Sequence, residues 1–159
     1  MATKQEMSST DRIDRQIQIQ APRSRVWRAL TTPAELGTWF GVKVETPTFQ
    51  PGTRAKGQMT HKGYEHVVWD ITVDRMEPET LFSWRWHPYA VEPGVDYSQE
   101  KPTLVVFELE EKAGGTLLKV TETGFDSVPL ARRAEAYRMH QGGWDWQLNS
   151  ISAYVTGAS

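Results

Sequence analysis

The sequence predicts a single α+β domain, a curved antiparallel sheet of about seven strands wrapped around one long C-terminal helix. Three observations predict it. Near the start, Ile13, Ile17 and Ile19 alternate with Asp14, Gln16, Gln18 and Gln20, the period-two pattern of a half-buried strand. From about Phe40 to Phe125, alternating segments are separated by turn signals at Pro51-Gly52, Glu77–Thr80 and Ala113–Gly115. That rhythm reads as antiparallel β structure. Near the end, Leu130, Ala134, Tyr137, Gln141, Trp144, Leu148, Ile151 and Val155 recur in alternating steps of four and three, a single inward stripe on a helix.

The elements follow in order. Residues 1–10 are polar and aperiodic and read as a loose tail, leaving 11–157 as the domain. After the first strand, "APRSRVWRAL" sets Pro22 in a first helical turn and spaces Val26 and Leu30 on one face. "TPAE" then starts a second short helix, with Thr32 as N-cap, Pro33 in the first turn and Glu35 closing a capping box. Gly37 is its expected end. Candidate strands lie near 42–46, 53–61, 64–76, 80–87, 102–111 and 116–124. The segment Pro88–Lys101 is the one long loop, and long loops in compact domains are usually functional or mobile. A lid is the role expected of it. The last helix runs from about Val128 to Val155. Gly142 and Gly143 in its middle cost roughly 1 kcal/mol each relative to alanine, which close packing or a kink would offset.

Composition narrows the function classes. The chain has 159 residues, a formal charge of −2, 38% hydrophobic and 24% charged residues, and no basic block. Nucleic-acid binding is therefore disfavoured. No run of about 20 apolar residues exists to span a bilayer, and "MATKQEMSSTDR" lacks the apolar core of a signal peptide. With no cysteine there is no disulfide, thiol nucleophile or thiolate metal site, and a reducing cytoplasm fits. Seven tryptophans in so short a chain must fill or line something large.

Hairpin parity sorts the strand residues into faces. With Glu77–Thr80 as a four-residue loop, Met76 lies opposite Leu81, Val73 opposite Trp84 and Ile71 opposite Trp86. Trp69 and Val67 continue that apolar row. The other face pairs Asp74 with Ser83, Thr72 with Arg85, and Asp70 with His87. One face is apolar and the other polar, as in a sheet with one side on the core. In the next hairpin Leu109 faces Leu118, Phe107 faces Val120, and Val105 faces Glu122, while Glu108 faces Lys119 on the solvent side. Glu122 is thus a carboxylate on the inward row. Ala55 and Gly57, on one parity with Met59, would leave room beside the helix.

The segments "APRSRVWRALTTPAELGTWF", "FSWRW", "LVVFELEEKAGGTLLKVTETGF" and "GGWDWQLNSISAYV" resemble the SRPBCC, or START-like, superfamily, which is similar to birch-pollen allergens. Within it they look like the branch named for the C-terminal domain of the activator of heat-shock protein 90 ATPase. The resemblance covers roughly Ile13 to Val155, with motifs in the family order. It implies a helix-grip fold, in which the sheet grips the C-terminal helix around an internal cavity. The superfamily includes lipid carriers, hormone receptors, polyketide cyclases and oxygenase domains. Trp27, Trp39 and the Gly143-Trp144 pair match the branch as structural positions, and no universal catalytic residue or cofactor carries over. The additional N-terminal domain of the eukaryotic activator is not expected within these residues.

The inward aromatic set is Trp39, Trp69, Trp84, Trp86, Phe107, Tyr137 and Trp144, either as a solid core or as the lining of a cavity. Ligand pockets are mostly apolar with a few placed polar groups. Glu122, Tyr137, His140 and Gln141 are the candidates for those groups. Glu122 would orient a ligand or act as general base, or else reach water or a neighbour at a strand end. His140, one turn before Trp144, sits at the edge of the stripe, where it enters the pocket or stays partly exposed. His87, Asp70 and Arg85 fall on the outer face as a solvated group. His61 and His66 flank "KGYE" without the three or four convergent ligands a metal needs, so no metal is expected. There is no nucleophile elbow or phosphate loop.

The expected function is binding of a small, largely apolar molecule, aromatic or lipid-like, in a cavity between sheet and helix. Two alternatives stay open. One is an enzyme of cyclase or hydrolase type using Glu122 or His140 as acid/base. The other is a module that binds a chaperone ATPase. The partners expected are thus a small apolar molecule, a chaperone or other protein, or a second copy in a homodimer.

Overall fold

The computed structural model describes residues 11–92 and 94–157; the expected tail, residues 1–10, lies outside them. The alternating first segment forms strand β1 (Arg12–Ile19), followed by helices α1 (Arg23–Thr31) and α2 (Pro33–Phe40). Six strands come next: β2 (Val42–Val44), β3 (Arg54–Met59), β4 (Val68–Glu77), β5 (Leu81–Trp86), β6 (Thr103–Lys112) and β7 (Gly115–Thr123). A short 3-10 turn, Phe125–Ser127, leads into α3 (Leu130–Thr156). The strands form one antiparallel sheet in the order β1-β7-β6-β5-β4-β3-β2, and α3 lies across its inner face with α1 and α2 beside it. This is the expected α+β, helix-grip architecture. Among the described residues no helix is long and apolar enough to cross a membrane.

The β6–β7 register is the expected one, with Leu109 opposite Leu118, Phe107 opposite Val120 and Val105 opposite Glu122. Its loop is the two-residue Ala113-Gly114, both with positive φ (51° and 78°). That conformation matches the right-handed twist of the strands it joins. In the β4–β5 hairpin Val73 faces Trp84 and Thr72 faces Arg85, as expected. Nearer the turn the register shifts between Val73 and Arg75, so Arg75, not Asp74, faces Ser83, and Met76 faces Phe82. Asp74 is the extra residue of a bulge, and Ser83 Oγ donates to its carboxylate at 3.0 Å. The expected Asp70–His87 pairing is also replaced. Asp70 takes both prongs of Arg54 (2.9 and 2.6 Å), and His87 Nε2 donates to the Glu100 carbonyl at 2.8 Å.

Three local expectations are corrected. Helix α2 ends at Gly41, with φ of 88°, and not at Gly37. A Cβ at Gly37 would sit 2.4 Å from the Val42 carbonyl, so this glycine serves the close approach of β2. Thr32 occupies the N-cap position without a side-chain cap bond. Glu35, expected to close a capping box, instead binds Arg25 (2.7 Å), Arg28 (3.0 Å) and the Tyr154 hydroxyl (3.0 Å), tying α1 and α2 to the end of α3. The small residues of β3 leave no gap either. Ala55 is fully buried, and a Cβ at Gly57 would meet the Lys43 carbonyl at 2.6 Å and Val42 Cγ2 at 2.7 Å. Strand β2 takes the space.

The inward face of α3 differs in its first half. Leu130 is 79% exposed and Ala134 is also exposed, while Ala136, Trp144, Gln147, Leu148 and Ile151 are buried. The stripe that meets the sheet runs through Ala136, His140 and Trp144. A Cβ at Gly142 or Gly143 would touch nothing within 4 Å. No close approach within the described residues therefore offsets their helix cost.

The β6–β7 turn gives a direct test of the backbone account. Ala113 holds a left-handed conformation that costs an L-residue about 1–2 kcal/mol, against about 0.5–1 kcal/mol of extra chain entropy for glycine. Ala113→Gly should therefore raise stability by about 0.5 kcal/mol in urea unfolding; a loss of stability would contradict the turn assignment.

Candidate functional site

Strand alternation forces the centre of the site. Glu122 follows Leu118 and Val120 on the inward row of β7, between Val105 of β6 and Ile13 of β1, and is 0% exposed. A carboxylate there costs several kcal/mol unless its lone pairs are filled. They are filled by four donors, two on each oxygen. Oε2 accepts from Trp86 Nε1 at 2.8 Å and Thr103 Oγ1 at 2.5 Å. Oε1 accepts from His140 Nδ1 at 2.7 Å and Trp144 Nε1 at 2.8 Å.

The local structure explains why these four meet. Trp86 and Thr103 are opposite one another in the β5–β6 register, so the sheet delivers both donors to one oxygen. His140 and Trp144 are four apart on α3, hence on one face one turn apart, and the helix delivers both to the other oxygen. Burial alone would push the Glu122 carboxyl up. The pull of the His140 ring in its protonated form, with the hydrogen bonds from His140, Thr103 and Trp86, outweighs this and holds the carboxyl below its ordinary value of 4.5.

The second nitrogen of His140 is also engaged. Nε2 faces the backbone N–H of Tyr89 at 3.1 Å. A backbone N–H can only donate, so Nε2 is the acceptor and Nδ1 carries the proton to Glu122. This is the neutral tautomer, fixed by its two partners. Tyr89 itself sits at φ 52°, a left-handed conformation unusual for a bulky residue. Arg132, two turns before His140, pins this part of the loop. Its guanidinium donates to the carbonyls of Pro88 (2.7 Å) and Tyr89 (3.2 Å), pairs with the Glu100 carboxylate (3.1 Å) and stacks over Tyr97 at 4.7 Å.

The aromatic candidates gather around Phe40. Its ring centroid lies 6.2 Å from Trp69, 6.3 Å from Trp84, 6.2 Å from Trp86 and 6.4 Å from Trp144. Trp84 also meets Phe107 at 5.2 Å, and Trp86 stacks on Trp144 at 5.9 Å. Trp39 donates its Nε1 to the Ala29 carbonyl at 2.8 Å and holds α1 against α2. Tyr137 turns away from this centre, its hydroxyl donating to the Arg12 carbonyl at 2.9 Å. Gln141 is half-buried beside His140 on the helix. The structure thus brings Trp86, Glu122, His140 and Trp144 into one cluster, with Trp69, Trp84 and Phe107 behind them. Tyr137, Gln141 and Trp39 stand outside it.

Several buried polar atoms lack partners among the described residues. They include the Nε1 groups of Trp69 and Trp84 and the Oε1 of Gln147. Gln147 spends its amide N–H on the Phe40 carbonyl at 3.0 Å, so all three residues border Phe40. Two surface hollows lie elsewhere. One of about 560 Å³ separates the start of α1 from the β6–β7 turn. The other, of about 300 Å³, is lined by Tyr89, Val91, Glu92, Tyr97, Ala131, Arg132 and Glu135. Among the described residues no group of three or more His, Cys, Asp or Glu is placed to hold a metal.

Sequence reasoning missed Thr103, Arg132 and Gln147. Thr103 shares the parity of Val105, Phe107 and Leu109, so its inward position was legible. Arg132, Ala136, His140 and Trp144 are four apart, a spacing that places Arg132 over the histidine. Gln147 follows Trp144 by three.

Comparison with known proteins bears on this fold. The family model described as Activator of Hsp90 ATPase homolog 1-like protein matches residues 20–156. No curated protein matches the chain by sequence. Among solved structures, it is similar to DynU16, a protein of the dynemicin biosynthetic locus, with 23% identity and a TM-score of 0.70. That match covers 94% of this chain but only 48% of DynU16. A Mesorhizobium loti protein aligns with 24% identity over 93% of this chain and 98% of its own, with a TM-score of 0.72. The Aha1 dimer of Colwellia psychrerythraea aligns with 19% identity over 91% of this chain and 95% of its own, with a TM-score of 0.67.

The four-donor arrangement predicts how Glu122→Gln behaves. Whichever way the amide turns, its NH2 faces an indole N–H, from Trp86 or from Trp144. The variant should lose about 1–3 kcal/mol at neutral pH, the cost of a buried donor left unpaired. The folded carboxyl titrates below 4.5, so its contribution is complete above that pH and fades as pH falls through the folded value. Urea unfolding across this range should show a shallower acid decline for the variant than for the native chain. Equal stability at neutral pH would refute the arrangement.

Proposed function

From a chain that belongs to the Activator of Hsp90 ATPase homolog 1-like family, we propose a binding protein for a small, largely apolar molecule held between the sheet and α3. The observation that carries this reading is the set of buried, unpartnered polar atoms around Phe40, namely Trp69 Nε1, Trp84 Nε1 and Gln147 Oε1. Each such group costs about 1–3 kcal/mol when it goes unpaired. A guest with an acceptor beside an apolar body would satisfy the indole N–H groups and recover that cost. Trp69, Trp84, Trp86, Phe107 and Trp144 would line its site after local ring movement, with Trp39, Tyr137 and Gln141 at its margins. Glu122 and His140 form its polar wall, and the Pro88–Lys101 loop covers the mouth.

The Glu122–His140 pair supports a second reading, as an enzyme of cyclase or hydrolase type. A carboxylate that orients an imidazole and leaves the far nitrogen as an acceptor is a general-base arrangement. A second copy of the chain is the protein partner this reading favours, since the Colwellia relative was solved as a dimer. A cytoplasmic location fits the cysteine-free composition.

Two probes of matched shape test the binding reading. 2-Acetylnaphthalene carries an acceptor that 2-ethylnaphthalene lacks. Saturable quenching of tryptophan fluorescence is expected with both, and about fivefold tighter binding of the acetyl compound, the worth of one hydrogen bond. No saturable change with either probe would refute the proposal.

A further inference from the structure

We propose that His140 Nε2 is the recognition point for a hydroxyl donor on the ligand, and that a phenol or other aromatic alcohol binds there by taking the place of the Tyr89 N–H. This rests on the binding reading above and names the chemistry of that ligand.

The imidazole is prepared for the role. Its Nδ1–H is locked on a buried carboxylate at 2.7 Å, which orients the ring and makes the opposite nitrogen a better acceptor. That acceptor points at the loop. It is matched at present by a backbone N–H at 3.1 Å, from a residue held at φ 52°. A non-glycine residue leaves the left-handed region with a gain in free energy, so Tyr89 can yield the position. A phenolic O–H is a stronger donor than a peptide N–H and suits a basic nitrogen.

The surroundings select an aromatic carrier for that hydroxyl. The His140 ring lies 5.4 Å from Trp86 and 5.8 Å from Phe125, both edge to face. Two aromatic walls therefore flank the acceptor. Outside the Tyr89 peptide lies the hollow of about 300 Å³, whose lining includes Tyr89, Tyr97 and Arg132. Tyr89 is common to this lining and to the hydrogen bond at the nitrogen, so a small ring seated in the hollow reaches Nε2 once Tyr89 yields. Arg132 sets the resistance, because it holds the Pro88 and Tyr89 carbonyls at 2.7 and 3.2 Å.

The test compares 2-naphthol with 2-methoxynaphthalene, which has the same rings and no donor. On the native protein, 2-naphthol should bind at least tenfold tighter by fluorescence titration. It should also move the Tyr89 amide and His140 Nε2 signals in 15N NMR, while the methoxy compound leaves both in place. Arg132→Ala, which frees the loop without touching the nitrogen, should widen the preference. His140→Phe should abolish it; because that variant removes a Glu122 partner, the native-protein spectra carry the test if it does not fold. Equal affinities, or a Tyr89 amide that stays in place on 2-naphthol binding, would overturn this inference and leave the interior binding reading intact. Binding of neither compound, nor of the acetyl and ethyl naphthalenes, would overturn both.

Discussion

A single buried carboxylate sets the terms for the rest of the structure. Glu122 has no exposure and four hydrogen bonds, two from the sheet and two from α3. An unpaired charge in that place would be untenable. The helix therefore has one axial position and one rotation at which His140 and Trp144 both reach it. The sheet likewise has one register at which Trp86 and Thr103 do. Packing of apolar surface drives the two layers together without direction; the carboxylate supplies the direction.

The consequences spread outward from that point. Trp86 and Trp144, held on opposite oxygens, stack on each other at 5.9 Å and close one side of the aromatic interior. His140, held through Nδ1, presents Nε2 to the Tyr89 peptide and so fixes the start of the long loop. Arg132 secures the same segment from a position two turns earlier on the helix. A chain of contacts thus runs from the sheet interior to the loop surface through three side chains. By contrast, Trp69 Nε1 and Trp84 Nε1 remain buried without partners among the described residues. Among the described residues the one fully buried carboxylate is fully satisfied and weaker dipoles behind it are not, which makes the interior around Phe40 the place where a guest gains most.

Much of this was legible in the sequence, because strand parity is a strict rule. Placing Val105 opposite Glu122 was enough to turn the carboxylate inward, and the same parity put Trp84 and Trp86 on the interior row and Arg85 outside. The aligned half of the β4–β5 register was also right, but for a reason the sequence did not display. The turn is one residue shorter than expected and a bulge at Asp74 restores the phase. Hydropathy misled on α3, where it selected Leu130 and Ala134, both exposed, and put His140 at the margin. The first turns of α3 face the loop, whose carbonyls and carboxylate call for Arg132 and not for leucine. Which indole bonds to what was beyond reach altogether. Seven tryptophans share one composition, but only Trp86 and Trp144 are aimed at Glu122, and that depends on three elements meeting in space.

The protonation pattern of the Glu122–His140–Tyr89 series is the most direct measure of this account. Long-range 1H–15N correlation of the histidine rings at neutral pH separates protonated from unprotonated nitrogens. The account predicts that His140 carries its proton on Nδ1, with Nε2 unprotonated, and that the indole N–H signals of Trp86 and Trp144 are shifted downfield as charge-assisted donors. A His140 protonated at Nε2, or indole signals at the positions of free N–H groups, would contradict it.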